Sequence, residues 1–279
     1  MSESSPKPTL QSIDWRTRVA TTLTKDVPPT SSGAPAHKAG SIVRQVTVTK
    51  GNDGQYFDFV TPSASAMSLA IALENAERAT VCRERIAFSD VVTPFGPGKS
   101  VTDESISELY EYFQSYFAAV VFSFLALEVF ANEVISQHPK KTVKTDRGSC
   151  GKKREVELRA EQLESKSSTE EKLAVVLPTI LGTATPRGRA PWEAFKELQR
   201  ARNEVMHLKA KDSNPRVERP EQLEHGTLLA RAFDEDVWKL PKAAVEMIGY
   251  FAVPTLEPKW LEHAASIVDA RSAHKRPRQ

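Results

Sequence analysis

The stretch Glu197-Leu-Gln-Arg-Ala-Arg-Asn-Glu-Val-Met-His207 decides how this chain is read. On a helical wheel at about 100° per residue, Phe195, Leu198, Val205 and Met206 form one apolar stripe. Pro191 suits the first turn of such a helix, which is predicted over residues 191 to 210. Arg202 falls inside the stripe and not on the polar side. A buried guanidinium without a partner is costly, so this position marks the residue as unusual. Asn203 and His207 are four apart and share a face at the edge of the stripe. Arg202 and His207 are five apart and diverge by roughly 140° on an ideal helix. They converge on one ligand only if the arginine reaches round or the helix loosens at its end.

The flanking sequence predicts further helices. Thr102-Asp-Glu-Ser105 is a cap signal, and Leu109, Phe113, Tyr116, Phe117, Val120, Phe124, Leu127, Ala131 and Val134 recur at spacings of three and four. A helix over 103 to 137 follows, ended by Pro139. Glu128 interrupts its most apolar part, with Asn132 one turn later. A carboxylate in such a segment needs a partner, and the expectation is that Glu128 faces Arg202 across the bundle. Ser168-Thr169-Glu-Glu-Lys-Leu173 opens another helix, bent by Pro178 and stopped at Gly182. Further helices are expected at 221 to 233, from Pro241, and at 258 to 269. The fold class is therefore mainly α.

The organisation reads as four parts. Residues 1–40 are rich in Ser, Thr, Pro and Lys and are expected to be disordered. Residues 41–100 form a small extension. In it Val46 and Val48 alternate with threonines before the turn signal Gly51-Asn-Asp-Gly54, giving a hairpin. A helix over 66 to 83 and a loop over 91 to 98 complete it. The helical bundle spans 101–270, and a basic disordered tail spans 271–279. Lys140, Lys141, Lys144, Arg147, Lys152, Lys153 and Arg154 crowd one Gly-containing stretch. It is a candidate RNA-binding loop in one reading and a solvated loop in the blander one.

Bulk properties limit the classes open to the chain. The 279 residues carry a net charge of only +2, so no global field demands a polyanionic partner. The two cysteines, Cys82 and Cys150, lie far apart and read as free thiols of a reducing compartment. No early segment reads as a signal peptide, and Phe117 to Ala131 is shorter than the roughly 20 residues a membrane span needs. The expectation is a cytoplasmic protein with no membrane contact, no metal and no cofactor. Gly96-Pro-Gly98-Lys-Ser lacks the spacing of a phosphate-binding loop.

Arg202-Asn203-Glu-Val-Met-His207 resembles the Arg-Asn-x-x-x-His motif of the HEPN superfamily. Arg200 to His207 fits the longer version without the Asn. The resemblance covers residues 103 to 270 and extends to Trp192, Phe195, Leu198 and the helix bearing Leu127, Glu128, Phe130 and Asn132. It implies a HEPN-like helical bundle, metal-independent endoribonuclease activity in phage defence or as a toxin, and a homodimer. RNA is the implied substrate, and an antitoxin or regulatory protein a further implied partner. Arg202, Asn203 and His207 take the catalytic positions, with Glu128 and Asn132 in support. Two alternatives stay open: a non-catalytic module of the same type that binds a nucleotide or a protein, and a structural or interaction protein.

Overall fold

The computed structural model describes residues 14–18, 20–29, 36–93, 96–147, 154–207, 228–252 and 258–274. The chain divides into two compact units, Met1–Met67 and Ser68–Gln279.

In the first unit, β3 (Val46–Lys50) and β4 (Tyr56–Val60) form the expected antiparallel hairpin. Its turn is closed by Gly51 N–H donating to the Gln55 carbonyl at 2.8 Å, with Gly54 at φ 82°, a conformation that favours glycine. Part of the stretch expected to be disordered is ordered instead. Strand β1 (Ala20–Thr22) pairs antiparallel with β2 (Ile42–Arg44). The Arg18 N–H donates to the Thr61 carbonyl at 2.9 Å and the Ser63 N–H to the Arg16 carbonyl at 2.7 Å. Backbone hydrogen bonding to a partner strand orders this segment, a source of structure that a polar composition does not reveal. Residues 1–13 lie outside the described residues. So does the tail from 275; before it, helix continues to His274, beyond the predicted end.

The second unit is organised on one helix. α1 (Ala64–Arg85) begins in the first unit and continues into this one. β5 (Phe88–Thr93) and β6 (Gly96–Val101) then form a hairpin where a loop was expected. A two-stranded ribbon has only edges, so Pro97 and Gly98 can be accommodated there. After a single 3₁₀ turn comes α2 (Ile106–Ser136), 31 residues long. Its Tyr112, Tyr116, Val120, Phe124, Leu127, Phe130 and Val134 are buried at spacings of three and four.

The region between 142 and 159 corrects the sequence reading. It is not the loop expected of its basic, Gly-containing stretch. β7 (Thr142–Arg147) pairs antiparallel with β8 (Arg154–Arg159), and α3 (Ala160–Lys166) starts only afterwards. Val143, Thr145 and Leu158 are buried while Lys144, Glu155 and Glu157 are exposed, the alternation of a half-buried sheet.

The helix expected from Ser168 is composite. Ser168 caps it by accepting the Glu171 N–H at 3.1 Å. α4 (Thr169–Glu171) passes into a π-helical turn (Lys172–Val176) and then α5 (Leu177–Leu181). Pro178 has no N–H to offer the carbonyl one turn back, and the Thr185 hydroxyl donates to that Ala174 carbonyl at 2.9 Å. Gly182 ends the segment with φ 67°.

α6 (Ala190–Met206), α7 (Leu228–Asp234), α8 (Lys239–Phe251) and α9 (Lys259–His274) complete the bundle. α6 and α8 pack on α2 and on each other, α7 packs on α2, and α9 packs on α8. Phe124 stacks on Phe195 with centroids 6.2 Å apart, and Trp192 abuts Phe195 at 5.3 Å. The Tyr112 hydroxyl donates to the Ala232 carbonyl, and burial pushes its phenol up to about 12. Among the described residues, one helical segment, Asp103–Ser136, is long and apolar enough to cross a membrane by length and composition. Of its apolar 18-residue window, 56% is buried in the bundle, as in a core helix. Leu127 lies fully buried at its centre. Leu127→Ala is expected to destabilise the protein by about 3 kcal/mol in urea unfolding monitored by circular dichroism.

Candidate functional site

The motif helix stops where its chemistry begins. α6 ends at Met206, short of the predicted 210, and His207 leaves helical geometry at φ −129° and ψ 51°. Its N–H still donates to the Asn203 carbonyl at 3.0 Å, so the residue stays attached to the last turn. Because His207 is no longer in helical backbone, the 140° divergence of an ideal helix does not constrain it. The side chain is exposed, as is Asn203. Residues 208–227 lie outside the described residues.

Arg202 is half-buried. Its guanidinium carbon lies 5.3 Å from the centroid of Phe124, and its Nη1 donates to Asn203 Oδ1 at 3.1 Å. The stripe position seen on the wheel therefore has a physical meaning: the cation rests on the aromatic ring that α2 presents to α6.

Glu128 does not pair with Arg202, which corrects the expected arrangement. No ion pair joins them, and among the described residues the charge of Glu128 acts on Lys172. Lys172 lies in the π-helical turn and is only 1% exposed. Its ammonium donates to Asn132 Oδ1 at 2.8 Å and to the Glu164 carbonyl at 2.8 Å. Burial lowers its pKa, and the charges of Glu128 and Glu164 raise it against that trend. Phe124, Glu128 and Asn132 succeed one another at i, i+4, i+8, so they form one stripe along α2. Arg202 sits at one end of that stripe and Lys172 at the other. Sequence reading paired Glu128 with the cation it could see in an apolar stripe. Lys172, in an apparently amphipathic helix start, carried no such mark.

The other supporting contacts hold α6 in place. Lys196 donates to Glu170 Oε2 at 2.8 Å and to Gln199 Oε1 at 2.6 Å; the first bond keeps the Glu170 carboxyl below the usual range. Arg231 pairs with Glu204 at 2.7 Å, tying α7 to α6.

Of the basic cluster, Lys140 and Lys141 are exposed and precede β7. Lys144 is on the exposed side of the hairpin and is already paired with Glu155 at 2.8 Å, which raises its pKa. The backbones of Arg147 and Arg154 pair in register at the end of the strands. Lys152 and Lys153 lie outside the described residues. Among the described residues no group of three or more His, Cys, Asp or Glu side chains is placed to hold a metal ion. No family model, curated protein or solved structure matches the chain.

Lys172 makes a pH prediction with a definite sign. The folded chain holds the Lys172 proton less tightly than the unfolded chain, so unfolding takes up a proton in the window below 10.5. The Lys172 contribution to stability therefore rises with pH across that window. Lys172→Met leaves the Asn132 amide oxygen and the Glu164 carbonyl without their donor and is expected to cost about 2 kcal/mol. The deficit relative to the parent protein should widen between pH 7 and the ordinary lysine range. A deficit that is constant with pH in urea titrations would contradict this assignment.

Proposed function

We propose that the chain is a metal-independent endoribonuclease of HEPN type, acting as a cytoplasmic homodimer in phage defence or as a toxin under the control of an antitoxin or regulatory protein. The observation that carries this reading is the state of Arg202. It is a half-buried guanidinium, oriented by an aromatic ring and an amide oxygen, with no carboxylate paired to it among the described residues. A cation in that state is ready for an anion, and a phosphodiester is the anion a planar fork suits.

His207 follows at the end of the same helix. The ribose 2′-hydroxyl attacks the adjacent phosphorus, and His207 moves the proton. The phosphorane gains negative charge, which Arg202 stabilises. The 5′-oxygen leaves with a proton, and the products end in a 2′,3′-cyclic phosphate and a 5′-hydroxyl. Asn203, bonded to Arg202, fixes the guanidinium in place. Lys140 and Lys141 supply charge for RNA outside the cleavage point.

A second copy is part of the proposal, and α2 supports it. Tyr110 is 61% exposed, and Phe117, Val121 and Leu125 on the same side are only half-buried. This side of α2 runs towards Phe124 and so towards Arg202. Burying it between two copies would bring two Arg202–His207 pairs to one seam.

Two experiments test these claims. His207→Ala and Arg202→Ala should each lower cleavage of single-stranded RNA by a hundredfold or more with the circular dichroism spectrum unchanged, while chelator leaves the parent rate as it was. RNA bound but uncut by the parent protein would favour the non-catalytic module. Val121→Glu should convert a dimer to a monomer in light scattering and lower cleavage with it; a monomeric parent protein would remove the paired site.

A further inference from the structure

The opposite face of α6 borders a cavity of about 390 Å³, in the size range of small-molecule sites. α6, α7 and α8 wall it, and Tyr116 of α2 lines its base. Arg200, the motif residue for which RNA cleavage has no use, is in its wall, whereas Arg202, Asn203 and His207 are not.

The cavity has an apolar floor and a charged rim. Leu198, Leu228, Leu240 and Ala243 are buried, and small side chains at Ala194 and Ala201 leave the space open. Four carboxylates and four cations line it, and most are engaged with each other. Glu204 pairs with Arg231 at 2.7 Å, Glu246 with Lys242 at 3.7 Å, and Glu235 Oε2 accepts the Tyr116 hydroxyl at 3.1 Å. Among the described residues Arg200 and Lys239 have no ion pair. The Arg231 Nε is buried and hydrogen-bonds nothing. Of the lining carboxylates, exposed Glu197 and Glu235 likewise have no ion pair among the described residues, Glu235 being held by the Tyr116 hydroxyl. The lining charges balance in number, and the lining atom that is both buried and unmatched is a donor, the Arg231 Nε, a state that costs free energy until an acceptor meets it.

We infer that this cavity binds a small organic acid, its planar or apolar body on the leucine floor and its carboxylate or phosphate at Arg200, Lys239 and Arg231. The site is independent of the ribonuclease reading, because it shares no residue with it. Binding there would act on α6, the helix that positions Arg202.

Calorimetry and thermal-shift measurements on the full chain, with adenosine 5′-monophosphate, adenosine and 2-naphthoate as probes, test the inference. At least one of the two acids should bind with one-to-one stoichiometry and a Kd below about 1 mM. Adenosine should bind at least about tenfold more weakly than the best acid. The choice between the acids tells a phosphate site from a carboxylate site. The double variant Arg200→Glu, Lys239→Glu reverses two exposed charges, and Ala194→Phe fills the space from a half-exposed position. Each should weaken binding tenfold or more with the circular dichroism spectrum retained. Absence of binding by both acids, equal binding of adenosine, or undiminished binding in either folded variant would overturn it.

Discussion

A buried cation must be matched, and α2 decides which cation in this bundle is matched by acid. Its stripe of Phe124, Glu128 and Asn132 offers an aromatic ring, a carboxylate and an amide at successive turns. Lys172 is almost wholly buried and takes the amide directly, with Glu128 as nearby counter-charge. Arg202 takes the ring. Exchange of these assignments would leave Lys172 buried without an anion, which is far more costly than leaving a half-exposed guanidinium on an aromatic face. The proposed chemistry depends on this division, because a guanidinium already closed by a carboxylate has little to offer a phosphate.

The helical skeleton was largely legible in the sequence. The period of three and four from Leu109 to Val134 located α2, and Gly182 and Pro191 marked the stop and start around the loop before α6. The β7–β8 hairpin was missed although its signal was present. Val143 and Thr145 alternate with Lys144, and Val156 and Leu158 with Glu155 and Glu157, a period of two hidden by attention to the run of positive charge. The β1–β2 pairing left no such trace, since a polar segment ordered by backbone hydrogen bonds has no compositional mark. The π-helical turn was foreshadowed only by Pro178, and that proline predicts a disturbance without its form. At the site, the unusual status of Arg202 was readable from its wheel position, but its partner was not. Which of two cations a carboxylate serves depends on how the turn at Lys172 is wound, and this is a property of tertiary packing.

α6 is used on two faces. One carries Arg202 towards α2, and the other borders the cavity through Glu197, Arg200, Ala201 and Glu204. The helix is anchored between them by Lys196 on Glu170 and by Glu204 on Arg231. Phe195 and Leu198 are buried beneath it, so α6 moves, if it moves, as a body. A coupling between the two faces would run through the position of this single element.

The central claim is that Arg202 is held open for a phosphate. The most direct measurement is equilibrium binding of a 2′-deoxy oligonucleotide, which cannot be cut by this chemistry, to the parent protein and to Arg202→Ala over a range of salt concentrations. The account predicts weaker binding by the variant and a salt slope reduced by about one phosphate contact per chain. Equal affinity and an equal slope for the two proteins would show that Arg202 meets no phosphate, and would contradict it.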